Sequence, residues 1–153
     1  RQAEETVRQW NRTLNSKGVY AVIMRYREGR VLIYVYRRAK LLHDFTGTEV
    51  RRFLKKFGYE GKNLQEMLEQ LSQRLCASDS FPHEIGLFLG YPIEDVKDFI
   101  KNEGRNCKLA GTWKVYHDEQ NARKTFCKFK KCTDIYCQML GKGTPLRRLT
   151  VAG

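Results

Sequence analysis

A chain of 153 residues has the length of one domain and can bury roughly two thirds of its unfolded surface, so neither a disulfide nor a metal is needed to fold it. A hydrophobic fraction of 41% with only three prolines excludes a long disordered chain, and no apolar run reaches the roughly 18 residues of a bilayer-spanning helix. The net charge of +12 favours phosphate-bearing polymers, acidic partners or an anionic membrane surface, although a solvated, lysine-rich surface is the commoner origin of such a charge.

Val7, Trp10 and Leu14 recur at helical spacing, which predicts an amphipathic helix over residues 2–15, stopped by Gly18. The chain starts at Arg1 inside this pattern without a methionine, so an upstream segment of the full-length protein is expected. Residues 19–26 and 31–36 are rich in β-branched and aromatic side chains and predict a hairpin. A three-residue loop, Arg27-Glu28-Gly29, puts glycine where a positive φ is required. That loop pairs Tyr26 with Arg30, Met24 with Leu32, Val22 with Tyr34 and Tyr20 with Tyr36. One face then holds Tyr20, Tyr26, Tyr34 and Tyr36, and the other an aliphatic set that packs on helices.

A helical turn is expected over 40–45 and a helix over 48–57, ended by Gly58. Asn63 caps a helix that turns Leu64, Met67, Leu68, Leu71 and Leu75 inward. Pro82 opens a short helix closed by Gly90; Pro92 opens the next, closed by Gly104, with Glu94 and Asp95 at its positive end. Residues 113–116 read as a third strand pairing with the hairpin, and Asp118 caps the longest helix, to about Leu140. The expected architecture is a single α+β domain over 1–153: a small antiparallel sheet packed by about five or six helices.

Positive charge gathers in the last third. On the long helix Ala122, Phe126, Phe129, Thr133, Tyr136 and Leu140 form one apolar stripe, and Arg123, Lys124, Lys128, Lys130 and Lys131 cover the rest. Arg105, Lys108 and Lys114 lie nearby in sequence. Together these eight cations are the candidate anion-binding set, suited to salt-sensitive contacts with phosphate. A solvated helix face is the commoner origin of such a pattern. The tyrosine face of the hairpin suggests stacking of single-stranded RNA, but the glycine-aromatic-basic signature of that module is missing, so a packed layer is expected instead. Residues 84–96 have helix-turn-helix spacing, yet Glu94, Asp95 and Asp98 would face phosphates and repel them, which favours an ordinary αα-corner.

The five cysteines, Cys76, Cys107, Cys127, Cys132 and Cys137, include no C-x-x-C and form no paired framework, which points to a reducing compartment. Cys127, Cys132 and Cys137 lie about 140° apart round a helix and cannot converge on a metal. Cys132 and Cys137 flank the apolar stripe and are expected to be buried. Cys127 falls among lysines, the setting in which reactive thiolates arise, though an inert cysteine is commoner there. A thiol chemistry would draw on Cys107 or Cys127 with His83 or His117, but nothing in the sequence orients His117, and helix-entry contacts are the more ordinary role for both histidines. No phosphate loop, dinucleotide fingerprint or zinc motif is present, and no metal or cofactor is expected.

The phrases Phe81-Pro82-His83-Glu84-Ile85-Gly86-Leu87-Phe88-Leu89-Gly90-Tyr91-Pro92, Trp113-Lys114-Val115-Tyr116 and Lys131-Cys132-Thr133 resemble a bacterial family known only as domain of unknown function 3793. The hairpin and the closing Arg148-Leu149-Thr150-Val151 extend the similarity over nearly the whole chain. The resemblance marks Pro82, His83, Glu84, Gly86, Gly90, Pro92, Trp113, Lys114, Tyr116 and Cys132 as motif positions. It implies a bacterial, cytoplasmic protein whose members begin further upstream, and carries no activity or cofactor. The function expected from all of this is a non-enzymatic binding or regulatory module whose basic surface takes nucleic acid, an acidic protein or a phosphorylated small molecule. The alternative is a small thiol-dependent enzyme or redox-responsive protein.

Overall fold

The computed structural model describes residues 1–153. Helix α1 (Gln2–Leu14) turns Val7 and Leu14 inward and brings Asn11 to the outer edge of strand β1 (Val19–Arg27). Asn11 Nδ2 donates to the Ala21 carbonyl at 2.9 Å and its Oδ1 accepts from the Ala21 N–H at 2.8 Å. A side-chain amide thus occupies the edge where another strand would otherwise add.

Strand β2 (Arg30–Arg37) pairs antiparallel with β1, but the connection differs from the expected one. Glu28 and Gly29 both have positive φ, 49° and 73°, so the loop is a two-residue mirror-image turn with Arg27 opposite Arg30. Tyr26 therefore pairs with Val31 and Arg25 with Leu32. A bulge at Met24 absorbs one residue, and from Ile23 onwards the expected register returns: Val22 faces Tyr34 and Tyr20 faces Tyr36. Two of the four expected pairs are corrected, those of Tyr26 and Met24. Tyr26 falls on the aliphatic face, where its hydroxyl donates to Glu4 at 2.7 Å. Met24 is buried, and its carbonyl accepts the Ser72 hydroxyl at 2.6 Å. The other tyrosines form a layer: Tyr34 stacks on Tyr36 at 5.0 Å, Tyr36 on Tyr20 at 5.9 Å, and the Tyr34 hydroxyl donates to the Phe88 carbonyl.

Helices α2 (Arg38–Asp44), α3 (Thr48–Lys56), α4 (Leu64–Ala77) and the single turn α5 (Ile85–Phe88) follow. Asn63 caps α4 by accepting the Glu66 N–H at 3.0 Å, and Glu66 returns a bond to the Lys62 N–H at 2.6 Å. Leu54, Leu68, Leu71, Leu75, Leu87 and Phe88 are buried, with Phe88 edge-on to Phe45 at 5.0 Å. Glu84 is 1% exposed. It accepts from Arg74 and from the Tyr59 hydroxyl, so a carboxylate sits inside this core with its charge matched.

Residues 1–90 with 152–153 form one compact unit and 91–151 a second. The second contains α6 (Ile93–Lys101), β3 (Leu109–Ala110), β4 (Lys114–Val115), α7 (Glu119–Gly141) and α8 (Leu146–Leu149). The expected third strand exists as β4, but it pairs with β3 and not with the first hairpin. Its main chain is engaged locally: Lys108 N–H donates to Val115 O at 2.8 Å and Gly111 N–H to Trp113 O at 3.1 Å. Gly111 lies flat against the Phe126 ring, where any side chain would collide. The molecule is α+β, with eight helices and two two-stranded antiparallel sheets.

Candidate binding surface on the long helix

Asp118 starts α7 with a left-handed backbone, φ 45°, and its carboxylate accepts the Asn121 N–H at 3.2 Å. Ala122 is buried and Phe126 meets Trp113 edge-on at 4.7 Å. Beyond Phe126 every side chain of the helix is exposed. The apolar stripe is therefore not core past Phe126: Phe129 is 47%, Tyr136 40% and Leu140 49% exposed. Cys132 and Cys137, expected to be buried beside it, are exposed as well.

The cations of α7 divide into two groups. Arg123 bonds Glu119 at 2.6 Å and Lys130 bonds Asp134 at 2.9 Å, a hydrogen bond that pushes the Lys130 ammonium up from its ordinary range. Lys124, Lys128 and Lys131 stand at i, i+4 and i+7, which places them on one face with no carboxylate bonded to any of them. Of the other predicted cations, Arg105 lies 3.8 Å from Glu103. Lys114 donates to the Gly104 carbonyl at 2.6 Å and sits 5.7 Å over the Phe99 ring. Lys108 is exposed beside β3. The predicted set of eight thus yields one row of three unpaired lysines, one further exposed lysine and four cations already engaged.

The second unit also contains a hub that the sequence reading missed. Asp95 is 2% exposed, not presented to solvent as expected. Its Oδ2 accepts the Trp113 indole N–H at 2.8 Å, and its Oδ1 accepts the Tyr116 and His117 N–H groups, each at 2.8 Å. Asp98, half-buried, bonds His117 Nε2 at 2.5 Å. His117 is therefore held at its main chain by Asp95 and at its ring by Asp98, a correction to the expectation that nothing orients it. No hydrogen bond joins it to Cys107, which is half-buried, and Cys127 is exposed on α7. His83 lies exposed at the turn before α5, next to buried Glu84. An acid in the first turn of a helix reads as a dipole partner. Only the approach of the Trp113–His117 segment turns Asp95 into a buried acceptor.

In the first unit a cleft of about 680 Å³ is lined by Phe45, Leu54, Tyr59 and Met67 together with Arg51 and Lys55. The Arg51 Nε there is committed to the Phe45 carbonyl at 2.9 Å. No helix of the chain is long and apolar enough to cross a membrane. No curated protein and no solved structure matches the chain. A family model does match, over residues 1–150, and the chain belongs to that family, described as Protein of unknown function (DUF3793).

Proposed function

We propose that this chain is a non-enzymatic binding module whose ligand is anionic and is held by Lys124, Lys128 and Lys131 of α7. The observation that supports the reading is the sorting of charge on one helix. Arg123 and Lys130 are neutralised by their own neighbours, while these three ammonium groups share a face and have no acid to pair with. Successive lysines on that face are one helical turn apart, about 5–6 Å, close to the spacing of phosphates along an extended strand. Nucleic acid, an acidic protein and a phosphorylated small molecule all present that chemistry. Retention on immobilised heparin tests it: the wild-type chain elutes late, and the triple variant Lys124→Ala, Lys128→Ala, Lys131→Ala elutes at clearly lower salt. Equal elution of the two would end the proposal.

The thiol-dependent alternative draws support from one observation, the His117–Asp98 pair, which resembles an oriented general base. Its test is the native alkylation rate of Cys107. A rate well above that of a free thiol, reduced by His117→Ala, favours this reading; an ordinary rate removes its mechanism.

A further inference from the structure

We infer that the exposed part of α7 docks on an anionic lipid bilayer, lying along the headgroup plane with its apolar side inward. This rests on the lysine row proposed above and adds the apolar surface which that row borders. At about 100° per residue, Ile135, Met139, Cys132, Tyr136, Phe129 and Leu140 follow one another round the helix across an arc of about 140°. Each of them is exposed. No charged side chain between Phe129 and Leu140 falls inside the arc, since Lys130, Lys131 and Asp134 take the other side. A broad, uninterrupted apolar arc opposite a charged face is the pattern of a helix that lies in a membrane surface.

Charge selects the occupant. Lys124, Lys128, Lys131, Ile135 and Met139 succeed one another at steps of three or four residues, so a single face of α7 passes from cationic to apolar. From Glu119 to Val151 the chain has eight cations and only two carboxylates. Both carboxylates are taken, Glu119 by Arg123 and Asp134 by Lys130. The remaining six cations flank the apolar stretch. Lys124, Lys128 and Lys131 precede most of it and Lys142, Arg147 and Arg148 follow it, all exposed. A cluster of that size on an amphipathic helix is complementary to acidic phospholipid.

The matching surface must be negative from Lys124 to Lys142, about 27 Å at 1.5 Å per residue, and apolar beneath its middle. A nucleic acid or an acidic peptide satisfies the cations and leaves the arc in water. A bilayer with acidic headgroups offers both, phosphate in its plane and acyl chains below. Lysines at the border of the arc reach back to headgroup level along their own apolar stems. Helix α7 is not apolar enough to cross a membrane, and the in-plane orientation keeps its polar side in water.

Co-sedimentation of the full chain with phosphatidylcholine vesicles containing about one third phosphatidylglycerol tests this. The chain should pellet with these vesicles and bind pure phosphatidylcholine roughly tenfold less tightly, or weaker still. The double variant Ile135→Gln, Met139→Gln, at two exposed positions, should weaken vesicle binding by roughly tenfold or more and leave heparin elution unchanged. The lysine triple variant should lower both. A polarity-sensitive dye on Cys132, in a chain whose other cysteines are serine, should shift to the blue when vesicles are added. The same dye on Cys127, about 140° away round the helix, should not, which keeps the test decisive if the glutamine variant misfolds. No binding to the anionic vesicles, equal binding to pure phosphatidylcholine, a glutamine variant that pellets like wild type, or a dye on Cys132 that responds no more than one on Cys127 would each overturn the inference. Retention on heparin or binding of polyglutamate without vesicle binding also overturns it and leaves the lysine row standing, so the two failures are separately visible.

Discussion

Asp95 shows how one acidic side chain organises a segment. Its two oxygens satisfy an indole and two consecutive main-chain N–H groups. Replacing it with alanine strands three donors, two of them in the buried or half-buried backbone, and should cost about 3 kcal/mol or more. Asp95→Asn retains one acceptor for the amides but turns an NH₂ towards the indole N–H, and should cost about 1–2 kcal/mol. Urea unfolding of both variants checks the order, and an alanine variant as stable as wild type would refute the hub. Tyr34 and Tyr59 titrate abnormally for a different reason. Burial raises both phenols, and the nearby Glu84 carboxylate adds to the rise at Tyr59. A phenol whose folded pKa lies above its unfolded value near 10 contributes stability that is complete below about pH 10 and is lost as pH rises further. Absorbance at 295 nm should show these tyrosines still protonated past pH 11, ionising only as the fold opens. Titration of all eight tyrosines together near pH 10 would contradict their burial.

Hairpin, bulge and helix differ in how much of their geometry was written locally. The hairpin's two strands follow from the composition of residues 19–36, whereas the expected pairing from Val19 to Ile23 holds only because a bulge offsets a loop one residue shorter than expected. The turn itself does not follow, because glutamate at position 28 is a poor advertisement for a positive φ. The bulge that compensates is held from outside, by Ser72 of α4 at the Met24 carbonyl. Glu28→Asn supplies the residue this turn prefers and should stabilise the chain by about 0.5–1 kcal/mol, measured by thermal unfolding; a destabilised variant would argue for the three-residue loop. The exposed Arg27–Glu28 pair that it removes weighs little. Helix α7 was legible in its cap, length and stripe, since these are periodic properties. Its exposure was not, because an apolar repeat reads identically in sequence whether it faces a core or is left open. The third strand was placed correctly in sequence but given the wrong partner. Pairing is non-local, and two residues of strand carry no register information.

Across the whole chain, a charge of +12 states an attraction without an address. Pairing supplies the address: the carboxylates beside Arg105, Arg123 and Lys130 and the carbonyl beneath Lys114 leave Lys124, Lys128 and Lys131 as the unengaged row among the predicted cations of α7. That row was half visible beforehand, since helical spacing put the three lysines on one face, while the ion pairs that single them out needed coordinates. The most direct test is the affinity of the full chain for a single-stranded oligonucleotide, measured by fluorescence anisotropy across a range of salt. Three phosphate contacts predict a slope of log K against log salt of about −2, reduced towards zero when the three lysines are alanine. Affinity that ignores salt, or a triple variant with the wild-type slope, would contradict the assignment of this face as the anion site.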